Sequence, residues 1–191
     1  MTIFDLLFIF VFLASVATLL TAGVALIRGP RSKALRILKV YGICLAIYLG
    51  VVAAVALVTP RRIVRLGEAR CFDDWCIAVQ HAEHEGTACH VTFQVSSRAR
   101  RVTQREKGVH AYLTDAQNRR FDPLPDPKAI PFDVLLNPVD SVETERSFTL
   151  PNDARGVGVV VAHEGPFCFP GCFIIGEDGN PLRRPAIVPL P

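Results

Sequence analysis

Two pairs of thiols stand close together in the chain: Cys71 with Cys76, and Cys168 with Cys172 around Phe-Pro-Gly. Thiols at such spacings bind a soft metal, exchange electrons, or close a disulfide. A metal needs further ligands at set positions. Copper on two thiols needs further soft and imidazole ligands to complete its coordination. Here Gly176 and Gly179 stand four and seven residues after Cys172, no histidine follows it, and the only methionine is Met1. Five histidines, His81, His84, His90, His110 and His163, share this part of the chain. His81 and His84 are three apart on an expected strand and so face opposite ways. Neither Cys-x-x-Cys nor His-Glu-x-x-His occurs. The pairs therefore read as disulfides, Cys71 with Cys76 and Cys168 with Cys172, because each brackets a turn. Other pairings of five thiols stay open on sequence alone. Cys89 is left as a buried thiol at the start of a strand. The competing reading is an envelope metal-binding or thiol redox protein working through Cys168 and Cys172; no cofactor is expected.

Asp73 and Asp74, and the group Glu177, Asp178 and Asn180, match no calcium-loop pattern and read as solvated loop residues. Trp75, the only tryptophan, reads as a core residue packed on a disulfide. Between Ser97 and Lys107, Arg98, Arg100, Arg101, Arg105 and Lys107 face only Glu106. Such a cluster could meet anionic lipid headgroups or a polyanionic envelope polymer. It could equally be a solvated hairpin or an edge strand kept soluble by charge. No phosphate-binding glycine loop, nucleophile elbow or kinase set is present, so the expectation is a non-catalytic binding or structural module.

The elements that position these residues fall into two parts. A mean hydropathy of +0.32 is too apolar for an ordinary soluble domain, and the excess lies at the front. Residues 1–59 hold five basic side chains and Asp5, whereas 60–191 hold 16 basic and 17 acidic ones. The basic balance thus says nothing about nucleic acid, and no nucleic-acid partner is expected. About 130 soluble residues also exclude a multidomain enzyme. Residues 3–27 carry no charge but Asp5, and residues 40–58 carry none; each run is long enough to cross about 30 Å of hydrocarbon. The first lacks the basic start of a signal peptide. A transmembrane hairpin over 1–59 is therefore expected, with Gly23, Gly42 and Gly50 available for helix contact. Its linker holds Arg28, Arg31, Lys33, Arg36 and Lys39, which places that linker in the cytoplasm. Arg61, Arg62 and Arg65 form a smaller rival cluster. The expectation is a multi-pass cell-membrane protein with domain 60–191 periplasmic or extracellular, where disulfides persist. Its expected partners are the lipid bilayer and another membrane or envelope protein.

After Pro60 the period is two. Ile77 and Val79, then Val91, Phe93 and Val95, then Val109, Ala111 and Leu113 alternate with polar or small residues. Further runs lie at 132–136, 142–150, 156–163, 173–176 and 186–190, with Gly156 to Val161 apolar on both faces as a central strand is. Seven to eight short strands separated by turn residues predict an all-β antiparallel sandwich. The stretch Gly67 to Val79 with its Asp-Asp-Trp, Tyr112 to Gln117 leading to Arg119-Arg120-Phe121, Phe148 to Pro151, and Phe173 to Gly176 carry a resemblance. They look like the bacterial membrane-anchored Ig-like (telokin-like) β-sandwich domains. The resemblance implies an Ig-like extracytoplasmic binding or structural module and transfers no functional residue. Two spans, an external sandwich and Cys-x-x-x-Cys also resemble cytochrome oxidase subunit two in layout, but the missing histidine and methionine remove its copper site.

Overall fold

The computed structural model describes residues 3–29, 31–163, 173–175 and 182–191. Cys168, Cys172, Gly176, Glu177, Asp178, Gly179 and Asn180 lie outside the described residues. The chain divides into a helical unit, Met1–Pro60 with Phe167–Arg184, and a β unit, Arg61–Pro166 with Pro185–Pro191.

The helical unit holds α1 (Ile3–Arg28) and α2 (Arg31–Val58), both long and apolar enough to cross a membrane. The second helix begins well before the apolar run at 40. Arginine, lysine and leucine are good helix formers, so most of the basic linker is the first turns of α2. Along α1 the less exposed positions include Val11, Ser15, Thr18, Ala22 and Ala25; along α2 they include Ala34, Leu38, Tyr41, Leu45, Tyr48 and Val52. Steps of alternately three and four residues are the seam of two helices packed at a shallow angle. Small and hydroxyl-bearing residues with Val11 on α1, and Ala34, Tyr41 and Tyr48 with two leucines and Val52 on α2, make up this seam, and the expected glycine contact is absent: a Cβ added at Gly23, Gly42 or Gly50 would meet nothing within 4 Å. Ser15, Thr18 and Thr21 donate their hydroxyls to carbonyls one turn back at 2.7, 2.7 and 2.8 Å, so these side-chain donors are satisfied within the helix itself. Most large side chains of both helices, among them Phe10, Leu20, Ile27, Ile43 and Leu57, are exposed.

The β unit is two four-stranded antiparallel sheets. The strands are β1 (Arg70–Phe72), β2 (Trp75–Glu85), β3 (Ala88–Ser97), β4 (Val109–Thr114), β5 (Arg120–Phe121), β6 (Ser141–Thr149), β7 (Gly158–His163) and β8 (Val188–Pro189). One sheet has the order β1-β2-β3-β6 and the other β5-β4-β7-β8. Alternating side chains from both close on one core: Ile77, Val79, Phe93, Leu113, Phe148 and Val159 are all essentially buried. The apolar β7 is central, as its two-faced pattern requires. Two expected strands are not strands. Phe132 and Leu136 are buried, but their segment is irregular and its backbone is bridged to Gln104 by paired N–H to O bonds of 2.9 Å. Residues 173–175 belong to the helical unit and form a turn there, with the Phe173 carbonyl accepting the Tyr48 hydroxyl at 2.7 Å. The irregular stretch after β5 also covers the edge of β6: Leu124 N–H donates to Ser147 O at 2.8 Å, and Ile130 O accepts from Thr144 and Arg146. An edge so covered no longer offers open ladder groups.

The ladders define two ends. Trp75 pairs Ser97, Ser96 pairs Ser141, and Val109 pairs His163, so these residues share one end. Arg61 arrives there, since Arg61 Nε donates to Pro185 O at 2.8 Å and Ile63 runs parallel to Ile187 just before β8. Only Thr59 and Pro60 separate it from Val58, so this is the tethered end. The β2–β3 turn at Gly86, the β4–β5 turn and the β6–β7 loop make up the free end.

Candidate functional site

At the tethered end, Cys71 and Cys76 face each other across β1 and β2 and are bonded, with Cα atoms 3.9 Å apart. The bridge brackets the Asp73-Asp74 turn, where Asp73 takes φ 54°; Trp75 next to it is buried and its ring lies 6.1 Å from that of Phe72. The second expected bridge, Cys168 with Cys172, lies outside the described residues. Cys89 is a buried free thiol on β3, and burial pushes it up from its ordinary pKa.

The basic run is neither a hairpin nor an edge strand. Residues 98–107 are the crossover from β3 in one sheet to β4 in the other. Arg98 N–H donates to Asp74 O at 2.7 Å, Ala99 is buried, and Gly108 at φ 81° turns the chain into β4. Arg105 is neutralised by Asp133 at 2.7 Å, and Glu106 pairs with His163. Arg98, Arg100, Arg101 and Lys107 are exposed and form no ion pair among the described residues. The neighbouring Asn137–Asp140 turn abuts this crossover through Ser97 N–H to Asp140 O at 2.9 Å.

The free end holds two features that sequence reading missed. In the β4–β5 turn Asp115 Oδ1 accepts the N–H groups of Gln117 and Arg119, both at 2.9 Å. Its Oδ2 accepts Arg119 Nε at 2.7 Å, and Arg119 Nη1 reaches Asp153 Oδ2 on the β6–β7 loop at 2.9 Å. Burial alone would raise the Asp115 carboxyl, but the side-chain hydrogen bond from Arg119, the two backbone N–H groups and the guanidinium charge outweigh it. The carboxyl therefore sits below the usual range. The hydrogen bond from Arg119 holds Asp153 down as well. Beside this network a cleft of 420 Å³ opens between the β2–β3 turn and the β6–β7 loop. Cys89, Leu150 and Leu190 form its apolar part, and His84, Asn152 and Arg155 its polar part.

A bulge sets which histidine lines this cleft. Val79 pairs Phe93 but His81 pairs Thr92, so Gln80 is an extra residue. Beyond it Ala82 and His84 share the face of Val91 and Cys89, while His81 turns outward and donates to Glu83 at 3.0 Å. His90 Nδ1 lies 2.9 Å from Glu145 and 3.1 Å from the Ser147 hydroxyl, and the His110 ring stacks on Tyr112 at 6.0 Å. Among the described residues no three His, Cys, Asp or Glu side chains converge on a metal position.

No protein-family model and no curated protein matches the chain. Among solved structures it is similar to the yjhA protein of Bacillus subtilis at 10% identity and TM-score 0.45, over 66% of this chain and 98% of that one. It is similar to MPT63, a secreted protein of Mycobacterium tuberculosis, at 12% identity and TM-score 0.42, over 57% of this chain and 93% of that one. An uncharacterized β-sandwich protein from Clostridium difficile 630 aligns at 7% identity and TM-score 0.42, over 70% of this chain and 96% of that one.

Proposed function

We propose that the chain is a membrane-anchored, non-catalytic binding module with an extracytoplasmic, Ig-like sandwich, and that the free end is the surface it offers to another membrane or envelope protein. One observation carries this reading: the 420 Å³ cleft, with apolar walls and a few polar groups, opens at the end of the sandwich away from Arg61. Concave sites of this size and mixed lining are where ligands and partner side chains seat. The anchor is supported by helices that expose large apolar side chains all round outside their shared seam, which water does not tolerate and lipid does. Five bases between the spans support a cytoplasmic linker, and the Cys71–Cys76 bridge supports an oxidising compartment for the sandwich.

Topology is tested by labelling intact cells from outside. A Ser32→Cys variant is expected to stay unlabelled, and its labelling would reverse the orientation. Partner binding is tested with a photo-crosslinking residue at Asn152 or at Asp126 in the full-length chain in its native membrane. Adducts with another envelope protein are expected at Asn152 and not at Asp126; equal yields would remove the cleft from the reading. Stoichiometric metal in the purified protein, or a readily reducible Cys168–Cys172 bridge, would replace the binding reading with the redox one.

A further inference from the structure

We infer that the tethered end of the sandwich is itself a membrane-contact surface, with Arg98, Arg100, Arg101 and Lys107 on anionic lipid headgroups and Val102, Leu135 and Val139 in the interface among them. The inference rests on the anchored reading but not on the cleft. Its first support is selective pairing along one loop. Arg105 has an ionic partner and Glu106 a hydrogen-bonded one, while the four cations around them have no ion pair among the described residues. Its second support is apolar. Val102 is 59% exposed within the basic loop, Leu135 is 61% exposed beside the residue that bonds Gln104, and Val139 is 77% exposed on the turn bonded to Ser97. Val139 also takes φ 63°, a left-handed conformation that a β-branched residue adopts only against strain. A solvated turn would carry glycine or asparagine there.

Basic side chains interleaved with exposed apolar ones suit a headgroup layer, where the charges meet phosphate and the apolar tips enter the acyl boundary. A soluble polyanion would use the arginines and leave the valines in water, so the lipid is the better occupant. Position agrees, because two residues span at most about 7 Å and Thr59 and Pro60 are all that lie between α2 and Arg61.

The test is hydrogen–deuterium exchange of the full-length chain in nanodiscs of phosphatidylcholine, with or without one-third phosphatidylglycerol. Peptides covering 98–107 and 137–140 are expected to exchange about tenfold more slowly in the anionic discs, with the protection lost in high salt. The combined R98Q, R100Q and R101Q variant should lose it too, while residues 150–157 stay unchanged. Equal exchange in the two lipids, or protection that survives in the triple variant, would overturn the inference. Protection of the same size from poly(glycerol phosphate) added to neutral discs would overturn it in favour of a polymer site. The spans report anchoring separately: residues 8–25 and 41–56 should be protected in both lipids, and their free exchange would sink the anchor together with this contact. An unchanged melting midpoint by Trp75 fluorescence shows that the variant is folded, and a V102S, V139G variant with all arginines intact should lose part of the protection.

Discussion

The two ends of the sandwich use arginine in opposite ways. At the free end Arg119 is held between Asp115 and Asp153, and the three side chains tie two loops together. At the tethered end Arg98, Arg100 and Arg101 stand open beside exposed valines. A charge paired inside the fold fixes loop geometry. One left in water contributes almost nothing to stability and remains available to a surface of opposite sign. On the proposed reading, the paired charges hold the shape of the cleft at the free end and the unpaired ones face a surface at the tethered end, with a common core between them.

The most damaging way to break this contrast is to remove the floor both ends share. Phe93 is fully buried and its ring meets that of Phe132 edge-on at 5.1 Å. Phe93→Ala should destabilise by about 3–5 kcal/mol, read as a lower denaturation midpoint by Trp75 fluorescence, and loosen both ends alike in hydrogen exchange. A loss confined to one end would mean that the sheets do not act as one core. The Cys71→Ser, Cys76→Ser pair should lower stability by about 2 kcal/mol, at the low end for a disulfide because the loop it closes is short. Its extra exchange should appear around residues 70–76 and leave 115–119 protected.

Asp115→Asn is expected to do the reverse and loosen the free end alone. Asp115 and Asp153 both have folded pKa values below their unfolded ones. In that window the unfolded chain binds more protons, so stability rises with pH. Their contribution is complete above the ordinary carboxylate value of about 3.9 and is lost as pH falls through the lower folded values. Denaturation midpoints between pH 5 and 2 should therefore show a shallower acid limb in D115N than in the parent protein. An identical acid limb would show that the network adds no stability.

Much of this was legible in the sequence where a period or a turn signal was local. The apolar runs foretold both helices, and alternation at Val91, Phe93 and Val95 foretold β3. The Asp73-Asp74 turn foretold the Cys71–Cys76 bridge. What failed was what depends on long-range pairing. Phe132 to Leu136 has the apolar residues of a strand but no ladder to join, and so contributes side chains to the core without a strand. The basic run has the length of a hairpin, but β3 and β4 lie in different sheets, which no local pattern reports. Gly42 and Gly50 suggested a helix contact, while the seam on α2 runs along Ala34, Leu38, Tyr41, Leu45, Tyr48 and Val52 instead. At the free end the signal for Asp115 was present, since Asp followed by Asn118 and Arg119 is an Asx-turn pattern. Asp153 comes from a loop far along the chain and could not be anticipated.

The smallest expected effect sharpens the comparison most, because its two readouts should move in opposite directions. Val139 sits at φ 63° in a turn closed by Asp140 N–H to Asn137 O at 3.1 Å. Holding an L-residue there costs about 1–2 kcal/mol, and glycine removes that strain. Glycine also gives back about 0.5–1 kcal/mol through the greater freedom of its unfolded chain. The net expectation for Val139→Gly is a gain of about 0.5–1 kcal/mol, seen as a raised denaturation midpoint in detergent, where no anionic surface competes. The same change removes an exposed apolar tip, so protection of residues 98–107 in anionic nanodiscs should fall. A purely structural turn would become more stable with no change at the membrane. A valine kept for the interface gives the split result, more stable in solution and weaker on lipid. If Val139→Gly instead destabilises the sandwich, the side chain packs in a way its exposure does not suggest, and the apolar half of the membrane contact must be assigned to Val102 and Leu135 alone.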